Sequence, residues 1–328
     1  MKCKEPSCQE SAISFSLFCW VHTSQGPYRA ALQENINACA GQSTVLNLKR
    51  VDAENLDFSN REIPNSSFSQ TKFSNVRFIG ANLEGSDFIG SRLHACDFVG
   101  SDLSHSNFTR ASLSHCSFSY SDLVGSCLIE AHLREVDFMG AVLSQVSLLG
   151  ADLTGAKFLK RKNFGESILE ENAQVASESY RALKHAFYSK GLYEDGSWAA
   201  YRELTMERKH FFKTRDPRYI PSLMMDLLSG YTEKPDRVIL ASLGIVLLFG
   251  ILYYLFDAAR PIGFNPGGAL SFWDSIYFSF ITFTTVGYGD YTPKDLAAFR
   301  ILACIEAFSG PFMAGLYIFT LTRRYAAN

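Results

Sequence analysis

Several features that mark an enzyme or a secreted protein are missing from this sequence of 328 residues. It contains no Gly-rich phosphate loop, nucleophile elbow or paired-carboxylate site, so we expect no enzymatic activity. The N-terminus, MKCKEPSCQE, lacks the apolar segment that signals secretion, so the eight cysteines are expected in a reducing, cytosolic compartment. Charged residues make up only 20% of the chain and the net charge is -2. This balance excludes a general polyanion binder.

Four potential metal ligands lie close together at the N-terminus: Cys3, Cys8, Cys19 and His22. Their spacing, C-x4-C-x10-C-x2-H, gives two close pairs separated by a loop, which suits tetrahedral Zn²⁺. Residues 1–25 hold too few apolar side chains for a core, so a metal would supply the missing stability. The segment resembles the small three-Cys, one-His knuckle of some repeat proteins, which implies a structural zinc. The alternative is three free thiols and an exposed histidine. We expect residues 26–45 to be a linker.

A five-residue period runs through residues 46–168. Every fifth residue from Phe58 to Phe158 is Phe, Leu or Ile, at all 21 positions. Two residues before each of these, from Ser66 to Ala156, stands a Ser, Thr, Val, Ala or Cys. A period of five fits neither an α-helix nor a flat strand. It predicts a coil in which each repeat forms one side and directs one large and one small side chain inward.

Blocks such as ANLEG, SDLSH and ADLTG resemble the pentapeptide-repeat family. The resemblance implies a right-handed, quadrilateral β-helix with four repeats per coil, a rod roughly 25 Å long at the usual strand spacing. Some members of that family imitate DNA with an acidic rod. Between residues 46 and 165, however, 12 Lys or Arg balance 13 Asp or Glu, so we expect no nucleic-acid partner. The remaining interpretations of the rod are a spacer, a scaffold or a binding surface for an unknown cytoplasmic ligand or protein.

The C-terminal third has the composition of a membrane domain. Residues 169–234 predict a helical connector that ends in a short interfacial helix against membrane lipid. Residues 238–256 carry no charged side chain, and 13 of these 19 are Leu, Ile, Val or Phe, so they predict a membrane-spanning helix. Residues 297–322 predict a second span, in which Glu306 should face protein or water. Basic residues beside both spans predict cytoplasmic termini in the plasma (inner) membrane.

The loop between the two spans carries the motif with the most specific chemistry. Residues 272–284 predict a short re-entrant pore helix, and residues 285–290 read TVGYGD. Gly287 and Gly289 permit backbone angles that let successive carbonyls point the same way. TVGYG is the sequence of potassium selectivity filters, in which rings of carbonyl oxygens replace the hydration shell of the ion. One strand offers carbonyls on one side only, so several chains must surround one axis.

This arrangement resembles the two-span potassium channels over residues 235–324. The resemblance implies that residues 235–328 form an α-helical pore domain that passes K⁺ as a homotetramer. It assigns the ion-selectivity filter to six residues: Thr285, Val286, Gly287, Tyr288, Gly289 and Asp290.

The same resemblance implies supporting roles for residues on both sides of the filter. Tyr277 and Phe278 match the aromatic pair that braces the filter in that family. Gly310 matches, within a residue, the place where the inner helix bends, and Pro311 beside it lacks an N–H, so the pair predicts a gating hinge. Ile281 stands where some bacterial members carry a Glu that supports the filter Asp. That pairing with Asp290 is therefore expected to be absent.

The sequence as a whole predicts a multidomain potassium channel with a zinc knuckle and a β-helical rod before the pore. The alternative is a membrane-anchored repeat scaffold or interaction protein with a non-conducting pore. The intact five-residue filter argues against that alternative.

Overall fold

The computed structural model describes residues 2, 4, 8, 12–14, 16, 21, 25–39, 41–165, 172–262 and 270–325. The chain divides into two compact units, Met1–Lys213 and Thr214–Asn328. The first unit contains the five-residue repeat, and the second contains both predicted spans.

The repeat region of the first unit is a β-helix with 20 residues in each coil. Parallel bridges join residues 20 apart along the rod, from Asn47 paired with Ser67 to Asp137 paired with Lys157. Three short parallel strands stack in the same register: β1 (Asp52–Glu54), β2 (Lys72–Ser74) and β3 (Arg92–His94). Four five-residue repeats therefore complete one coil, as predicted.

Large apolar side chains stack in columns inside the rod. Two columns consist of phenylalanine rings whose centroids lie 4.6–4.9 Å apart: Phe58, Phe78, Phe98 and Phe118 in one, and Phe68, Phe88 and Phe108 in the other. All of these rings are buried. Their spacing is that of neighbouring strands, because each ring sits directly above the equivalent ring of the previous coil.

The alternation of inward and outward side chains ends one five-residue repeat earlier than the sequence predicts. Leu153 is buried, but Phe158 is 56% exposed and Leu159 is buried in its place. Phe158 adopts a left-handed φ of 54°, which turns its side chain outward. The prediction that Phe158 fills the core is therefore wrong, because the chain leaves the repeat here. It enters a short 3₁₀ helix, Arg161–Phe164, whose last residue is buried in the core.

A helix adds to the core before the first coil. Helix α1 (Gln25–Ala38) buries Tyr28, Leu32 and Ile36 in the same apolar core as the rod. These side chains recur every four residues and so share one helix face. The expectation that residues 26–45 form a linker is therefore wrong.

Two further helices extend the core after the last coil: α2 (Ala173–Tyr188) and α3 (Tyr193–Thr214). Four of their buried apolar side chains belong to the core of the rod: Tyr180, Leu183, Phe187 and Met206. The buried Glu203 of α3 joins the two helices through ion pairs with Arg181 at 2.7 Å and Lys184 at 2.6 Å. The predicted helical connector is thus part of the repeat unit.

The second unit begins with α4 (Tyr219–Ser229), which ends at Gly230 in the left-handed conformation. Its apolar side chains include the exposed Leu223 and Met224. The buried Asp226 accepts a 2.7 Å hydrogen bond from Arg237, at the start of the next helix. This ion pair fixes α4 beside that helix.

Two helices of the second unit are long and apolar enough to cross a membrane: α5 (Pro235–Leu255) and α7 (Ala297–Tyr325). Between them in the sequence lies α6 (Phe272–Phe283), at the position of the predicted pore helix, and it packs against both. The Ser271 side chain caps α6 by accepting the backbone N–H of Asp274. Two short antiparallel strands flank this helix: β4 (Ala259–Pro261) and β5 (Tyr291–Pro293).

Candidate ion pathway

The loop after α6 places the predicted filter residues in a non-helical conformation. Gly287 and Gly289 have φ angles of +48° and +83°. These values lie in the region that glycine enters without a steric penalty. The N–H of Gly287 donates to the carbonyl of Ile281 at 3.2 Å, so the last turn of α6 holds the middle of the loop.

The two aromatic residues predicted to brace the filter make different contacts. The Tyr277 hydroxyl donates to Asp290 Oδ2 at 2.8 Å. The Phe278 ring is buried and packs edge-on against the ring of Tyr253, with centroids 4.9 Å apart. Ile281 is also buried and offers Asp290 no polar side chain, as expected. In this chain Tyr277 holds the Asp290 carboxylate.

The predicted filter loop has a wide exposed surface in the single chain. Val286 is 52% exposed and Tyr288 is 74% exposed. A groove of about 830 Å³ runs beside the loop, and its lining includes Thr282, Thr285, Gly287, Gly289, Ala303 and Ala307. The groove therefore joins the filter loop to one face of α7.

Side-chain contacts fix the ends of the loop between the spans. Lys294 donates to the carboxylate of Asp257, and the N–H of Leu270 donates to the same carboxylate at 3.1 Å. The Lys294 hydrogen bond, followed by that of Leu270, lowers the pKa of Asp257. The ion pair thus joins the end of α5 to the segment that follows the predicted filter.

The predicted hinge lies where α7 touches α6, the predicted pore helix. Helix α7 runs without interruption past Pro311, so the Gly310–Pro311 pair does not end it. A Cβ atom on Gly310 would overlap the carbonyl oxygen of Phe283, the last residue of α6. Gly310 therefore permits close packing of the two helices, a role that the sequence did not reveal. The predicted bend at this pair stays a prediction.

We expect Gly310→Ala to destabilise the second unit. Backbone atoms of α6 must move to accept the methyl group, at a cost of about 1–3 kcal/mol for an overpacked contact. Gly315→Ala is the matched control, because a Cβ on Gly315 meets nothing within 4 Å. Thermal unfolding of the two detergent-solubilised variants checks this. Equal melting temperatures would contradict the close contact, and Pro311→Ala tests the hinge separately through its effect on open probability.

The predicted zinc ligands lie largely outside the described residues. Cys3, Cys19 and His22 are among the undescribed positions, and only Cys8 is described. In the described part of the chain, no group of three or more His, Cys, Asp or Glu side chains is placed to hold a metal ion. The zinc knuckle therefore stays a prediction.

Two segments of the chain match known family models. Residues 241–327 match the model described as an ion channel. Residues 66–104 match pentapeptide repeats, and residues 91–167 match a pentapeptide repeat region. The chain thus has one segment similar to ion channels and another similar to pentapeptide-repeat proteins, and neither matching family is an enzyme family.

The curated relatives are potassium channels. Two-pore potassium channel 1 of Arabidopsis thaliana is 35% identical over 103 residues, which cover 31% of this chain and 27% of the relative. Two pore potassium channel b of Oryza sativa subsp. japonica is 33% identical over 92 residues, covering 28% of this chain and 25% of the relative. The chain thus spans about a quarter of the length of these relatives.

Solved structures with weak similarity to the chain are pentapeptide-repeat proteins. One structure of QnrB1, a plasmid-mediated fluoroquinolone resistance protein, is 21% identical with a TM-score of 0.32, and the match covers 37% of this chain and 60% of that chain. HetL, from the cyanobacterium Nostoc sp. Strain PCC 7120, is 23% identical with a TM-score of 0.22, and the match covers 34% of this chain and 57% of that chain.

Proposed function

We propose that this protein is a homotetrameric potassium-selective channel. The observation that carries the proposal is the loop TVGYGD, with both glycines in left-handed conformations, held directly after a short helix between two apolar helices. Four copies around one axis would stack rings of carbonyl oxygens, and K⁺ would exchange its water shell for these oxygens. Thr285, Val286, Gly287 and Tyr288 would supply the carbonyls, and the Thr285 hydroxyl the innermost ring.

The exposed surfaces of the single chain support assembly around a pore. Val286 and the large ring of Tyr288 belong to a loop at membrane depth, where exposed backbone is tolerated only beside protein or a water-filled cavity. Neighbouring subunits would cover the sides of this loop. The remaining side would line the ion path.

The topology proposed for the chain places both termini in the cytoplasm and the filter loop on the outer side of the plasma (inner) membrane. Lys234 precedes α5 and Arg237 lies in its first turn, and Arg323 and Arg324 lie near the end of α7, in agreement with the preference of basic residues for the cytoplasmic side. The exposed apolar side chains of α4 would rest in the lipid interface. The repeat rod would then be cytoplasmic, available to an unknown ligand or protein.

Ion flux through purified protein in liposomes tests the proposal. We expect a K⁺ or Rb⁺ gradient to drive flux far faster than an equal Na⁺ gradient, and the detergent-solubilised protein to have the mass of four chains. A tetramer that passes neither ion would favour the alternative function, a membrane-anchored scaffold with a non-conducting pore. A chain that purifies only as a monomer would contradict the channel.

We further propose one structural zinc ion per chain at the N-terminus. The donor set of three thiolates and one imidazole suits Zn²⁺. Metal analysis of protein purified without chelators should find one zinc per chain, and Cys8→Ser should lose it. Cys127→Ser, which alters a cysteine of the rod, is the control and should keep the metal. Zinc in the Cys8→Ser protein equal to that in the unmodified protein would contradict the site.

A further inference from the structure

An acidic side chain is buried where three helices of the second unit meet. Glu306 of α7 is 0% exposed, and its two carboxyl oxygens contact different helices. Oε2 lies 2.7 Å from the hydroxyl oxygen of Tyr253 on α5, and Oε1 contacts the hydroxyl oxygen of Ser279 on α6. Both hydroxyl residues are also fully buried. We call these three residues the Glu306 cluster.

A proton on the carboxyl group would complete the hydrogen bonds of this cluster. The Ser279 hydroxyl lies 2.8 Å from the carbonyl oxygen of Val246 as well as against Glu306. Three contacts therefore join the two hydroxyl groups, the carboxyl group and the carbonyl, and each contact needs one proton. The hydroxyl groups of Tyr253 and Ser279 supply two. Glu306 supplies the third in its neutral acid form, which also avoids a buried charge.

The cluster lies next to the segment that holds the filter loop. Ser279 is two residues before Ile281, whose carbonyl accepts the N–H of Gly287. One turn after Glu306, Gly310 touches the carbonyl of Phe283 at the end of α6. Helix α7 therefore contacts α6 at two points, Ser279 and Phe283. Ile281, which accepts the hydrogen bond from Gly287, lies between these two points, and the loop with the filter sequence follows them.

We propose that Glu306, in its protonated form, is a positioning residue for the filter. Its carboxyl group ties α6 to both membrane-spanning helices through Ser279 and Tyr253, and so holds Ile281 and Gly287 at their mutual distance. The assignment to ion selection rests on the proposed channel function. The mechanical part, that Glu306 restrains the segment after α6, is independent of conduction.

Substitutions at Glu306 separate this role from simple packing. Glu306→Gln has nearly the same shape and, like the carboxylic acid, offers one acceptor atom and one donor atom. This variant should keep the hydrogen bonds to Ser279 and Tyr253. Glu306→Ala leaves the buried hydroxyl groups of Ser279 and Tyr253 without their partner. Tyr253→Phe removes the hydrogen bond between Tyr253 and Glu306. Tyr254→Phe is its matched control, because Tyr254 is 46% exposed and next to Tyr253 in the chain.

Two measurements on the full-length protein test the proposal. The first is amide hydrogen exchange of residues 277–287 in detergent. Glu306→Ala should raise the exchange rate by about tenfold, which corresponds to about 1.4 kcal/mol, while Glu306→Gln and Tyr254→Phe should match the unmodified protein. The second is the ratio of K⁺ to Na⁺ flux in liposomes. This ratio should fall by at least about tenfold in Glu306→Ala, the same free-energy difference, and persist in Glu306→Gln.

Each outcome bears on one part of the proposal. Unchanged exchange and unchanged flux ratio in Glu306→Ala would overturn it, although the channel function would stand. If Glu306→Gln changes the exchange rate and the flux ratio as much as Glu306→Ala does, the assignment of Glu306 as a protonated hydrogen-bond donor would be overturned. Unmodified protein without potassium-selective flux would overturn the channel function, and hydrogen exchange would still decide whether Glu306 holds the segment. If Glu306→Ala does not give monodisperse protein, Ser279→Ala replaces it in both measurements with the same expected results.

Discussion

Gly287→Ala is expected to abolish potassium-selective flux while the protein still assembles. Gly287 has a φ of +48° in the filter loop. A side chain in the left-handed region costs roughly 1–2 kcal/mol per residue. In the proposed tetramer four copies of this strain meet at one ring of carbonyls. The loop should relax to another conformation, and the carbonyl rings that would replace the water shell of K⁺ should be lost.

Liposome flux and size-exclusion chromatography of the variant check this result together. Gly244→Ala in α5 is the matched control, because Gly244 has no left-handed φ and a Cβ there meets nothing within 4 Å. We expect the control to keep the K⁺ to Na⁺ flux ratio of the unmodified protein. A Gly287→Ala protein that conducts with that same ratio would refute the assignment of this loop as the selectivity filter.

Phe108→Asp is expected to unfold the repeat domain at a much lower temperature than the unmodified protein. The Phe108 ring is fully buried and stacks on Phe88 with centroids 4.6 Å apart. The substitution opens a cavity in the column and places a carboxyl group among apolar side chains. Removal of a buried phenylalanine alone costs about 3–5 kcal/mol, and an unpaired buried carboxylate adds several more. The melting temperature should therefore fall by roughly 10 °C or more.

Tyr120→Asp provides the matched control for that prediction. Tyr120 is also aromatic, but it is 63% exposed and lies at a turn of the rod with a left-handed φ of 60°. Asp tolerates that conformation better than most residues. Its melting temperature, followed by circular dichroism, should stay close to that of the unmodified protein. Equal losses in the two variants would contradict the assignment of inward and outward positions.

The repeat region could be predicted almost completely because its structure is local and periodic. A side chain recurring every five residues must return to the same side of a four-sided coil every 20 residues. Phe58 and Phe78 therefore stack without any further information. The prediction fails at Phe158, where one left-handed residue reverses the inward and outward positions. The period cannot signal such a local exit from the repeat.

The membrane unit could be predicted as a list of elements but not as a set of contacts. Long apolar segments indicated α5 and α7, and the motif after residue 284 indicated the loop. Two sets of hydrogen bonds join residues far apart in the sequence: the bond between Tyr277 and Asp290, and those within the Glu306 cluster. They depend on how three helices pack. The sequence predicted that Glu306 faces protein or water, but not which residues it contacts.

Helix α1 illustrates a third reason for a wrong expectation. Its apolar residues Tyr28, Leu32 and Ile36 are few and are separated by polar residues, so residues 26–45 resemble a linker in composition. The helix is stabilised by burial in the core shared with the rod rather than by its own sequence. Helices that depend on packing in this way are weakly marked in the sequence.

The reversal potential of single channels, with K⁺ on one side of a planar bilayer and an equal concentration of Na⁺ on the other, tests the central claim most directly. For a channel that prefers K⁺ at least tenfold, the current should reverse at least about 59 mV from zero. The sign of this voltage should be the one that opposes the flow of K⁺ down its gradient. Gly287→Ala in the same bilayer should remove this selective current. A reversal potential near zero for the unmodified protein would show that K⁺ and Na⁺ pass equally, and would contradict the proposed function.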